Sequence, residues 1–101
     1  MTGVVFVSVS DFSRTGTKVI MDMEKAGHKV AITKLGKPVA LLQKATGTER
    51  GKRETVSNLR NNAVKTIAEL EKTGKRLVIT RDDELVAVLS KITANAFRTG
   101  E

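Results

Sequence analysis

The pattern of apolar positions switches from the period of a strand to that of a helix and back, and then repeats the cycle. Residues 4–9, VVFVSV, form a short β-branched and aromatic run that predicts a strand. Phe12, Gly16, Ile20 and Met23 then recur at steps of three and four, the spacing of a helix that buries one stripe. Ser10 and Asp11 offer a side-chain cap and a carboxylate for the positive helix end. Gly27, just after Lys25, offers a left-handed stop. KVAITK (29–34) and PVALLQ (38–43) read as two strands around the turn LGK, where Gly36 supplies a positive φ. Pro38 has no amide donor, so it belongs at a strand start or an edge.

Sliding the sequence by 47 positions lays residues 9–46 on 56–93 without a gap. Val9-Ser10 falls on Val56-Ser57, Ile20 on Ile67, Gly27 on Gly74, Ile32-Thr33 on Ile79-Thr80, and Val39-Ala40 on Val86-Ala87. The second helical stripe is Leu59, Ala63, Ile67 and Leu70, and the small pair Gly16 and Ala63 predicts a close approach of another element. The second hairpin, RLVITR and LVAVLS around DDE, replaces Gly36 with an aspartate turn and Pro38 with Leu85. Leu85 restores a donor, so the second hairpin is expected to pair where the first cannot. Each unit of roughly 45 residues is too small to bury a core alone. The expected fold is α+β: two β-α-β-β repeats packed as an intramolecular pseudo-dimer. Residues 1–46 form the first repeat, 47–53 a basic linker, 54–93 the second repeat and 94–101 a short C-terminal tail. A linker of seven residues spans at most ~25 Å, which keeps the two units in one body.

Charge narrows the class of partner. The 101 residues carry a net charge of +7, which favours a polyanion, although a solubilising surface charge is the plainer alternative. The excess lies at +4 in residues 1–46, +2 in 47–53 and +1 in 54–101. There is no cysteine, hence no disulfide framework or thiolate site, which fits a reducing cytosol. No apolar run approaches a membrane span, and 3–9 is too short and lacks the basic start of a signal peptide. One histidine and no nucleophile or phosphate-loop motif argue against an enzyme, and no cofactor is expected. Asp82, Asp83 and Glu84 lie in a turn between strands, where solvation explains them better than a bound Mg²⁺. With three Phe and no Trp or Tyr, stacking on single-stranded nucleic acid is disfavoured.

The run VSVSDFSRTGTKVI, followed by a hairpin of the pattern G-x-x-V-x-I-T-x-x-G-x-P-V-A-x-L over Gly27–Leu42, resembles the Phd/YefM antitoxin family. The resemblance covers residues 5–43. The second copy, 54–90, follows more loosely, without the glycine and proline. It implies a cytoplasmic, nucleoid-associated autoregulator that binds double-stranded DNA through the start of its helices, as a repressor or a DNA-coating protein. It also leaves open an antitoxin or inhibitor whose main ligand is a protein toxin, and pairing of the chain with itself. The family's DNA-contacting arginine falls in the short helical signature, which here holds Arg14 and Arg60, both expected in the first helical turn. An arginine there can hold a phosphate or read guanine with two donors. Ser10, Ser13, Thr15 and Thr17, with Asn58, Asn61 and Asn62, could add phosphate or base contacts, or merely cap and solvate the helix. Lys18 and Lys65 are flank contacts at best. Arg50, Lys52 and Arg53 could follow the phosphate backbone as a mobile strip, or be a solvated linker. His28 is expected at the surface. The first half and the linker are expected to carry most of the DNA contact, and the second half to serve core and assembly.

Overall fold

The structure, a computed structural model, describes residues 3–92. Thr93 and the tail at 94–101 lie outside the described residues, as do the first two residues. The fold is α+β, a six-stranded mixed sheet with three helices. In chain order the elements are β1 (Val4–Ser8), α1 (Val9–Ala26), β2 (Lys29–Lys34), β3 (Lys37–Lys44), β4 (Lys52–Thr55), α2 (Val56–Asn61), α3 (Ala63–Thr73), β5 (Leu77–Arg81) and β6 (Glu84–Lys91). The strand order is β1-β2-β3-β6-β5-β4. β1 runs parallel to β2 and β4 parallel to β5, while both hairpins and the central pair β3·β6 are antiparallel.

The registers obey the 47-residue shift. Val5 lies opposite Val30 as Lys52 lies opposite Leu77, and Val30 lies opposite Leu42 as Leu77 lies opposite Leu89. At the centre, Leu42 lies opposite Leu89, its own counterpart. Both hairpins slip by one residue at the same place, between Ile32 and Thr33 and between Ile79 and Thr80. The slip leaves Val39 and Val86 without a partner in the register, and such a bulge turns a side chain out of strict alternation. Val39 can therefore join Ala40 against the same core, and Val86 can join Ala87.

One apolar cluster holds the helices on one face of the sheet. Phe12, Ile20 and Met23 of α1 and Leu59, Ile67 and Leu70 of α2 and α3 meet Val30, Ile32, Leu42, Ile79 and Leu89 from the strands. All are at most 2% exposed, and each such side chain contributes roughly 1.5–3 kcal/mol by leaving water. The expected stripes are thus the buried ones. Ala31, Leu41, Val78 and Val88 alternate to the other face and stand outside this cluster.

Several local expectations are corrected. The first strand stops one residue early. Ser8, not Ser10, caps α1, its hydroxyl accepting the Asp11 amide at 3.1 Å. Thr55 does the same for Asn58 at α2. The caps at the other ends are as expected: Gly27 and Gly74, at φ 78° and 69°, donate to Met23 and Leu70. The second helix is not one piece, since Asn62, at φ −122° and ψ 31°, separates α2 from α3. Pro38 sits at the start of β3, outside the stretch from Ala40 to Lys44 that pairs with β6. Leu85 takes the same register position as Pro38. It lies opposite Thr80 just as Pro38 lies opposite Thr33.

The hairpin tips both place two residues in the left-handed region, Leu35 with Gly36 and Asp82 with Asp83, which is the two-residue turn that matches strand twist. Gly36 and the aspartates fit that conformation, but Leu35 at φ 53° does not, and it is 96% exposed. Leu35→Asn should therefore raise stability by about 0.5–1 kcal/mol, because it relieves the backbone without giving up buried area. Urea unfolding tests this, and an unchanged or lower midpoint would show that the exposed leucine makes a compensating contact.

Candidate nucleic-acid interface

The helix start is built by the Ser8 cap and the burial of Val9 and Phe12, which together turn the intervening polar residues outward. Ser10, Arg14, Thr15 and Lys18 are exposed on α1, and Ser13 and Thr17 are half-buried. Asn58 and Asn61 of α2 and the junction residue Asn62 are exposed, as is Lys65 at the start of α3. Ser57, the counterpart of Ser10, is exposed as well and was not among the expected contacts, although the repeat itself points to it.

Gly16 brings these segments together. A Cβ there would stand 3.3 Å from Cγ of Arg60 and 3.4 Å from the Phe12 ring. The missing side chain thus lets the Arg60 stem lie across α1, the close approach that the small residue implies. Arg14 is the sixth residue of α1 and Arg60 the fifth of α2, so both stand one turn further in than expected.

The two arginines differ in state. Arg14 donates from Nη2 to Oδ1 of Asp11 at 2.6 Å, with both side chains largely in solvent. Such a pair is worth little to the fold and is easily exchanged for a phosphate. Arg60 has its Nε buried without an acceptor, a polar group held out of water with nothing in return. The hydroxyls of Ser13 and Thr15 donate to the Ser10 and Asp11 carbonyls, and the Asn62 amide donates to the Asn58 carbonyl. Ser13 and Thr15 spend their single hydroxyl donor on the helix and retain acceptor capacity, whereas the Asn62 amide keeps a second N–H.

The basic strip at 50–53 does not join this surface as one piece. Lys52 and Arg53 belong to β4, a four-residue edge strand, rather than to a loop. Strand alternation sends their side chains to opposite faces. Lys52 lies with Asn62 and Lys65 on the helix side, whereas Arg50 and Arg53 lie with Val78 and Leu85 on the other. The preceding loop is ordered by Glu49. Its carboxylate accepts the amides of Thr46 and Gly47 at 2.9–3.0 Å and the Thr46 hydroxyl at 2.9 Å. The Thr46 amide above all, with these other donors, lowers the Glu49 pKa from 4.5 to about 2. A depressed carboxylate stabilises the fold above its unfolded value, and that contribution fades as pH falls from 4.5 toward 2. An NMR titration of Glu49 should give a midpoint near 2, and a midpoint near 4.5 would mean that the loop is open in solution.

Two ion pairs tie each hairpin to the helix of the other half: Lys34 to Glu71 at 3.4 Å, and Arg81 to Glu24 at 2.9 Å. They too are related by the 47-residue shift. His28 is half-buried. Among the described residues no group of three or more His, Cys, Asp or Glu side chains could hold a metal, and no helix is long and apolar enough to cross a membrane. The chain matches no family model, no curated protein and no solved structure.

Proposed function

We propose that the chain is a double-stranded DNA-binding protein of antitoxin-like fold, acting as a repressor or DNA-coating protein. In this reading the two β-α-β-β repeats form a pseudo-dimer within one chain. The registers related by a 47-residue shift, with Leu42 opposite Leu89, support that arrangement.

The observation that carries the DNA reading is the outer side of the helix layer. The packing of Arg60 over Gly16 sets the exposed start of α1 beside α2. Arg14 and Lys18 of one segment and Asn58 and Asn61 of the other are exposed around this contact, while Asn62 and Lys65 turn toward β4. The nearby acidic side chain, Asp11, is already paired with Arg14. Cations spaced along a helix pair suit a phosphate backbone, and Arg and Asn are the side chains that read guanine and adenine edges with two hydrogen bonds. The +7 net charge adds a field that draws the duplex in. Both halves contribute, so contact is not reserved to the first half and the linker.

Fluorescence anisotropy with a labelled duplex at increasing salt tests the reading. Three cationic contacts, from Arg14, Lys18 and Arg60, should give a slope of log K against log salt of about −3. No measurable binding at ~50 mM salt would overturn it.

A further inference from the structure

A cleft of about 750 Å³ lies between α3 and the edge strand β4, on the side of the helix layer away from α1. We propose that it binds a small phosphorylated molecule. Its floor is Leu70 and Leu77, and its rim carries Lys52, Lys65, Lys75 and Arg76. The volume is that of a small-ligand site, and an apolar floor with a few converging polar groups is its usual make-up.

Charge says which ligand. Glu54 and Glu69 also line the cleft, yet none of its four cations forms an ion pair with them or with any other carboxylate among the described residues. Glu54 instead accepts the Thr55 amide, and Arg76 spends its Nε on the Arg50 carbonyl at 3.1 Å, which leaves its terminal nitrogens. Four cations against two carboxylates leave the cleft net positive. Lysine and arginine donors converging on one hollow are the means by which proteins hold phosphate groups.

The other half shows that the cleft is not dictated by the fold. The positions of Lys52, Glu54 and Thr66 correspond to Val5, Val7 and Val19, and Val7 and Val19 pack against the core. Lys65 and Arg76 have basic counterparts in Lys18 and Lys29, so the difference between the halves lies at these three positions, where valines stand in place of polar side chains.

The test uses sodium pyrophosphate as the probe and two-dimensional amide NMR of the full chain, at about 150 mM salt so that loose surface attraction is screened. Saturable shifts should centre on Gly51, Asn62, Thr66 and Thr73. The double change Lys65→Glu and Lys75→Glu should weaken binding at least about tenfold. Lys25→Glu with Lys37→Glu, which lowers the net charge equally far from the cleft, should alter it less than about twofold. Shifts spread over the whole basic surface, or equal weakening by both pairs, would overturn the proposal. The spectra themselves report whether each variant folds. No DNA is present, so the outcome is independent of the DNA reading.

Discussion

Leu42→Ala and Leu89→Ala should each cost about 2–5 kcal/mol, as do other fully buried leucines. Both side chains are 0% exposed, both belong to the single core cluster, and they lie opposite each other across the central pair β3·β6. Their cavities would merge, so the costs should not add: a coupling of about 0.5–3 kcal/mol is expected in a double-mutant cycle. A chain of this size has roughly 5–15 kcal/mol to lose, so the double variant should be largely unfolded at room temperature. Leu41→Ala is the internal control. Leu41 is the neighbouring residue on β3, but it faces away from the helices and stands outside the cluster, and its loss should be smaller. Urea unfolding with a constant m value reads all four. If Leu42→Ala and Leu89→Ala cost less than Leu41→Ala, the core does not lie where the structure puts it.

The second large effect separates binding from stability. Arg14→Ala removes an exposed pair worth a few tenths of a kcal/mol, so stability should hold within about 0.5 kcal/mol. Affinity for a duplex should fall by about 1–3 kcal/mol if the arginine reads a base. If it holds only a phosphate, the loss should be uniform across sequences and the salt slope should drop by about 1. Arg60→Met keeps an unbranched stem to lie on Gly16 and removes the buried Nε that has no acceptor. Its stability should stay level or rise by about 1 kcal/mol, because an unsatisfied buried donor is costly. Its DNA affinity should nevertheless fall about tenfold or more. Unchanged affinity in both variants would move the site away from the helix layer, and a fall in the stability of Arg60→Met would mean that its guanidinium serves the fold.

Much of this was legible in the sequence because it rests on periodicity and on residues with few conformational options. The two helical stripes, the glycine stops and the hairpin strands all follow from side-chain spacing or backbone freedom. What was not legible depends on tertiary context. KRET has no strand signature, and β4 is a strand because it pairs with β5 as β1 pairs with β2. Ser8 looked like the end of a strand and Ser10 like a cap, since either serine can fill that role and only the backbone turn decides between them. The junction at Asn62 carries no proline or glycine to mark it. The basic run at 50–53 reads as one feature in sequence, but strand alternation divides it between two faces. The polar cleft left its trace only in the comparison of the two copies, where Lys52, Glu54 and Thr66 replace three valines.

Among the described residues, the sheet pairing that joins the first three strands to the last three is β3·β6, where partners are 43 to 51 positions apart. That pairing is unimolecular because Ala45–Gly51 tethers the two sides at short range. A single cut in this loop, between Thr48 and Glu49, would leave every strand pairing available but turn the central one into an association of two fragments. The stability of the nicked protein would then rise with its concentration, whereas that of the intact chain would not. Carrying both halves on one chain therefore does more than save a second copy. It lets this body stay assembled at dilutions where two separate pieces would drift apart.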